Sequence, residues 1–229
     1  VSGAAVRRKD YDGTATAQIT GTLSGVVGSD AVTLAGSGTF ENANAGASKG
    51  VTSNGTLGGA QASRYTLTQP TGLQGTITKA SVTVTAVSAN KTFGESDPAL
   101  TYTPTPSALI AGNSFNGALS RATGEDAGTY AISQGTLTAG DNYAITFVSA
   151  NFTINKKDQA ITLPEIGAKT YGDAAFSLNA TTDSNLTLSY SSSDTIVATV
   201  TPAGVITIMS NGTATITASQ AGNGNYNAA

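Results

Sequence analysis

One phrase occurs three times in this chain. Lys9-Asp10-Tyr11-Asp12-Gly13 returns as Lys91-Thr92-Phe93-Gly94-Glu95 and as Lys169-Thr170-Tyr171-Gly172-Asp173, at intervals of 82 and 78 residues. A Lys-x-aromatic-Gly/Asp phrase at a domain-sized period constrains the fold to an array of modules rather than one enzyme-sized domain. Other landmarks keep the same step. Gly55-Thr56-Leu57 recurs as Gly135-Thr136-Leu137, Arg64-Tyr65-Thr66-Leu67 as Asn142-Tyr143-Ala144-Ile145, and Ile77-Thr78-Lys79 as Ile154-Asn155-Lys156. These landmarks set three modules, at 1–78, 79–156 and 157–229. The first two read as relatives. The third shares the opening phrase and an Asn225-Tyr226 ending, but its middle differs.

Modules of this size bury little core and are only modestly stable alone. Disulfides cannot brace them, because the chain has no cysteine. The same lack excludes a thiol nucleophile, and the lack of histidine excludes a His base or metal ligand. Charged residues make up 11% and the net charge is −3, which argues against nucleic acid as a partner. Arg7-Arg8-Lys9 and Lys156-Lys157 read as solvated residues at module edges. No apolar run approaches the roughly 20 residues of a membrane helix, so direct membrane insertion is not expected.

Period-two alternation dominates. Val82 and Val84 alternate with Ser81, Thr83 and Thr85; Phe152 and Ile154 alternate with Asn151, Thr153 and Asn155. Short Thr-rich strands bounded by Gly, Asn, Pro and Asp predict an all-β chain of three tandem small β-sandwich, immunoglobulin-like modules. Asn211-Gly212 predicts a type I′ hairpin between Val205–Ser210 and Thr213–Ser219, so 196–219 reads as three successive antiparallel strands. Asn54-Gly55 and Asn116-Gly117 are further turn candidates. Ser107–Ala111 is the one stretch that suits a helical turn, which keeps a β-grasp arrangement open for the second module.

The junctions Thr76–Ala86 and Phe152–Leu163 run strand into strand with no Gly/Ser-rich or Pro-rich spacer. Short connections limit bending, so the modules are expected to form an elongated rod. Matched against the second module, the first lacks most of an opening strand and the third lacks a closing one. The expectation is therefore a window from a longer array.

These residues also carry a resemblance. Lys9–Thr14, followed by Gly28-Ser29-Asp30-Ala31-Val32 and Phe40, resembles the YDG domain of bacterial surface proteins. Lys91–Leu100, Leu119-Ser120-Arg121, Gly124–Ile132 and Gly135-Thr136-Leu137 resemble an MBG domain. Ser192–Val200, Gly204-Val205-Ile206-Thr207 and Gly212–Ala218 are similar to bacterial immunoglobulin-like repeats. The resemblance implies a large secreted adhesin with tandem repeats at the cell surface, and it transfers no catalytic residue.

Candidate sites are few. Asp126-Ala127-Gly128-Thr129-Tyr130 resembles a tyrosine corner, in which the Tyr hydroxyl bonds nearby backbone. Tyr11, Phe93 and Tyr171 read as core or junction anchors. Calcium takes roughly six to eight oxygen ligands, and Asp10, Asp12, Glu95, Asp97, Glu125, Asp126 and Asp173 are the candidate donors. No EF-hand loop or glycine-rich nonapeptide accompanies them, and turn-capping acids are the alternative. Asp194-Thr195-Ile196 resembles an O-glycosylation triplet, although the same residues belong to the immunoglobulin-like pattern.

No catalytic constellation stands out, so an enzyme is not expected. The expected function is a stalk segment of an extracellular surface adhesin or filament, with further repeats of the same chain as neighbours. Two other readings stay open: a module that binds surface glycans or other cell-surface proteins directly, and a self-associating filament subunit using Thr-rich edge strands.

Overall fold

The computed structural model describes residues 1–110 and 112–229. The chain is all-β and built of small sheets, in the manner of immunoglobulin-like sandwich modules. Among the described residues the helical content is one 3-10 turn, Ala62–Arg64. Two compact units form. The first comprises Val1–Val87, Leu100–Ser120 and Ile132–Ala150; the second comprises Ser88–Ala99, Arg121–Ala131 and Asn151–Ala229. The segment 79–156 thus contributes strands to both.

In the first unit a six-stranded sheet runs in the order Ser2–Val6, Thr16–Thr22, Ser37–Phe40, Gly46–Ser53, Leu73–Thr78, Lys9–Asp10. Its last pair is parallel and the others are antiparallel. Alternation sends Ala17, Ile19, Phe40, Val51 and Ile77 into one core, which also takes Tyr11, Val82 and Tyr143. Packing is tight at Gly75, where a Cβ would stand 2.5 Å from Val6 Cγ1 and 2.9 Å from Phe40 Cε1. A second sheet centres on Ala80–Ala86, flanked by antiparallel Tyr102–Thr105 and parallel Tyr143–Val148.

Asn54-Gly55 does not close a hairpin. Gly46–Ser53 stays in the large sheet, whereas Thr56–Gly58 pairs with Thr33–Ala35. Neither Asn54 nor Gly55 takes the positive φ that a type I′ turn needs. Instead Gln69 bridges the change of sheet, accepting from Ser53 Oγ (2.6 Å) and donating to the Gly55 carbonyl (2.7 Å). Residues 107–110 bend without a helical turn, and Ala111 lies outside the described residues.

In the second unit Asn151–Asn155 lies between Ala89–Thr92, which runs parallel to it, and Gly128–Ser133, which runs antiparallel. Ser120–Arg121 edges this sheet. Phe152 and Ile154 are fully buried, as their alternation requires. The remaining strands make three small sheets: Ile161–Thr162 with Thr181–Thr182; Val205–Ile208 between Phe176–Ser177 and Ala198–Val200; and Ser189–Ser192 with Ile216–Ser219. Leu178, Ala198 and Ile206 form the core there.

The expected hairpin over 196–219 is half present. Ala198–Val200 does pair antiparallel with Val205–Ile208, but Ile216–Ser219 belongs to another sheet. Only Gly212 of the Asn211-Gly212 pair has positive φ, at +152°. The Val197 carbonyl takes the Met209 N–H at 2.8 Å and the Ile196 carbonyl takes the Ser210 hydroxyl at 2.8 Å, so the pairing of these two strands continues to Ser210, and the chain leaves the sheet only after it. A strand that changes sheets buries residues on two core faces, which an Asn-Gly hairpin in one sheet does not.

Candidate functional site

The repeated phrase is the best-defined structural site in the chain. In the first module Lys9 and Asp10 sit opposite Ile77 and Thr78, and the Tyr11 N–H donates to the Thr78 carbonyl at 2.8 Å. In the second, Lys91 and Thr92 sit opposite Ile154 and Asn155, and the Phe93 N–H donates to Asn155 at 2.9 Å. In these two modules the phrase thus enters as a short parallel partner of the module's last strand.

A turn follows. Gly94 and Gly172 take φ of +85° and +97°, a conformation that glycine adopts without steric cost. Each sits third in a four-residue turn, closed from the Glu95 N–H to the Thr92 carbonyl (3.0 Å) and from the Asp173 N–H to the Thr170 carbonyl (3.2 Å). Positive φ at that position is the type II signature. The acidic side chains reach back to cap it: Glu95 accepts the Thr92 N–H at 2.8 Å, and Asp173 accepts the Thr170 N–H at 3.0 Å. That backbone bond holds the Asp173 carboxyl below its ordinary range. The first module shifts the glycine by one, to Gly13 at φ +79°, and Asp12 takes over, accepting from Thr14 N–H (2.9 Å) and pairing with Lys9 (2.7 Å).

The aromatic residue of the phrase receives the next module. Within the first unit, Tyr143 packs edge-on against Tyr11 at 5.5 Å. Beside it, Asn142 accepts the Ala45 N–H at 2.8 Å and donates to Asn44 Oδ1 at 3.1 Å. Within the second unit the same arrangement recurs with other residues. Tyr226 packs edge-on against Phe93 at 5.5 Å. Asn225 accepts the Ala127 N–H at 2.7 Å and donates to Asp126 Oδ1 at 2.8 Å. Even the backbone agrees: Ala80 N–H donates to Asn142 and Lys157 N–H to Asn225, both at 2.9 Å. An Asn-Tyr pair from one module therefore clasps the module before it, the Tyr on the phrase and the Asn on a separate loop.

The second module adds a charge cluster. The Lys91 side chain is only 3% exposed and lies 2.7 Å from Asp97, with Glu125 also in contact. Arg121 forks onto Asp97 (2.6 and 3.1 Å) and onto Glu125 (2.5 Å). Its guanidinium covers the rings of Phe152 and Tyr130, with centroids 4.9 and 5.2 Å away. The bonds from Arg121 and then Lys91 pull the Asp97 carboxyl down to about 2, and those from Lys91 and then Arg121 lower Glu125. In return Lys91 is raised, first by Asp97 and then by Glu125.

Each calcium candidate now has a place. Asp10 accepts the Thr78 hydroxyl, while Asp12, Glu95 and Asp173 cap turns. Asp97 and Glu125 belong to the charge cluster, and Asp126 to the clasp. Among the described residues no group of three or more acidic side chains stands close enough to hold a metal ion.

Tyr130 makes its corner, donating to the Asp126 carbonyl at 2.7 Å. Tyr11 is buried and Phe93 is covered by Tyr226, as anchors should be. Tyr171 is 66% exposed, and among the described residues no Asn-Tyr pair packs on it. Asp194 caps its own turn, accepting the Ile196 N–H at 2.9 Å.

Sequence reasoning missed the clasp asparagines, Arg121 and the ion cluster. Asn142-Tyr143 and Asn225-Tyr226 were visible as a shared landmark, but spacing alone does not say that their partners lie in the preceding module.

Three known families match parts of the chain. Residues 1–72 match the YDG domain, 82–153 the MBG domain (YGX type), and 184–222 the intimin immunoglobulin-like domain. No curated protein matches the chain. In tandem order, then, the chain is similar to a YDG domain, an MBG domain and an intimin immunoglobulin-like domain, the make-up of an adhesin-type repeat region of a bacterial surface protein.

Proposed function

We propose that this chain is a structural stalk segment of a secreted bacterial adhesin or filament, extending a distal binding region from the cell. Its partners on this reading are further repeats of the same polypeptide. Its role is mechanical rather than catalytic and needs no cofactor. The observation that carries the reading is the clasp, which occurs twice with the same atoms in the same roles. A stalk must resist rotation at each joint. Two side-chain hydrogen bonds, one aromatic contact and a spacer-free connection supply that resistance at modest energy per joint.

Small-angle scattering of the chain tests it. A stalk gives a radius of gyration well above the roughly 17 Å expected for one globule of this length. A value near that figure overturns the reading. Replacing Asn142 and Asn225 with alanine should broaden the distance distribution without unfolding the modules.

A further inference from the structure

Lys49 is a buried cation outside the clasps and the charge cluster. Its side chain is 7% exposed, and Nζ lies 2.6 Å from Asn42 Oδ1 and 3.6 Å from Glu41 Oε1. A β-bulge aims it there. Gly46 pairs with Ile77 and Lys49 with Gly75, so this strand carries a surplus residue between the two pairs. Within the bulge Ser48 takes φ +52°, a conformation uncommon for residues other than glycine. The same loop seats a clasp, because Asn142 bonds Asn44 and Ala45 there.

The three side chains make a reactive set. With a carbonyl bond of about 1.23 Å, Nζ stands within about 3.8 Å of Asn42 Cγ. That is close to the roughly 3–3.5 Å of a near-attack arrangement. Asn42 Oδ1 also accepts the Asn44 N–H at 3.0 Å, which puts a donor where negative charge develops when the carbonyl is attacked. Glu41 is 57% exposed and so exchanges protons with water. Lys91 is buried too, but its neighbours Asp97 and Glu125 are carboxylates held by Arg121. An ionised carboxylate resists attack by an amine, whereas the neutral amide of Asn42 can lose ammonia.

We propose that Lys49 and Asn42 join through an intramolecular isopeptide bond, with Glu41 as the proton shuttle. Glu41 takes a proton from the Lys49 ammonium, and the freed Nζ lone pair bonds to Asn42 Cγ. The carbonyl electron pair moves onto Oδ1, against the Asn44 N–H. Glu41 delivers its proton to Nδ2 and accepts the surplus proton from Nζ. The Cγ–Nδ2 bond then breaks, the carbonyl re-forms, ammonia leaves, and Glu41 gives its proton to water. Nothing is oxidised or reduced. The bond closes residues 42–49 into a ring and fixes the loop that Asn142 grips. This inference does not rest on the stalk reading.

Intact-mass spectrometry of the folded 229-residue chain tests it. The mass should fall short of the sequence mass by one ammonia. Trypsin should not cut after Lys49, and tandem spectra should place the link between residues 42 and 49. Lys49→Arg and Asn42→Ala should each restore the full mass, and Glu41→Gln should slow bond formation at least about a hundredfold. A full mass in the unaltered chain overturns the proposal, as does an undiminished loss in any of the three variants. A loss mapped to Lys91, or to Asn54, Asn116 or Asn211, where a following glycine favours succinimide formation, overturns it too.

Discussion

Lys91–Glu95 and Lys169–Asp173 fold the same turn in different surroundings. Both close through threonine and an acidic residue, and both place glycine at positive φ. Yet Phe93 lies under Tyr226 while Tyr171 faces solvent, and Lys91 sits among carboxylates while Lys169 lies 4.5 Å over the Phe176 ring. The comparison separates two kinds of information. The turn is encoded by five adjacent residues. Burial is encoded by what arrives from far along the chain, and it differs between the copies.

The largest test removes what arrives beneath the charge cluster. Phe152→Ala deletes a fully buried ring and the surface on which Arg121 lies, at a cost of about 3–5 kcal/mol by urea unfolding. Tyr171→Ala should change stability by no more than about 0.5 kcal/mol, as for an exposed residue. A comparable loss in both would erase the contrast between them. Next come the clasps. Asn225→Ala strands the Ala127 N–H and removes a bond to Asp126, costing about 1–2 kcal/mol. Asn142→Ala should cost the same at the other joint, and unequal losses would show that the two clasps are alike only in geometry.

Glycine substitution probes what the copies share. Gly94→Ala and Gly172→Ala should each cost about 1 kcal/mol, because alanine is strained at these φ values. A cost confined to Gly94 would mean that burial, not the turn, sets the penalty. The smallest effect is electrostatic. Asp97 and Glu125 have folded-state values below their unfolded ones, so their contribution is present above the unfolded range near pH 4 and is lost as pH falls toward about 2. Both carboxylates are partly in water, which keeps the loss modest. Acid titration by circular dichroism should show this step diminished in Asp97→Asn.

Much of this was legible in the sequence, for local reasons. The alternation around Val82, Val84, Phe152 and Ile154 fixes which side chains go inward, and structure and pattern agree there. Tyr130 carries its corner within four residues of its acceptor. Asn211-Gly212 misled because a hairpin signal depends on both neighbouring strands staying in one sheet, and Ile216–Ser219 pairs instead with the distant Ser189–Ser192. Lys91 and Arg121 were missed because their carboxylate partners are spread between Asp97 and Glu125, and no short motif records that.

The clasps also impose a schedule. Asn142 and Asn225 lie 97 and 98 residues beyond the N–H groups they cap. Contacts between residues so distant in sequence must await the intervening chain and bear the entropy of closing a long loop. For a polypeptide emerging N-terminus first, no joint can close until nearly a whole further repeat has appeared. Each repeat would then be fastened by its successor, so that assembly proceeds as a wave trailing one module behind the emerging chain.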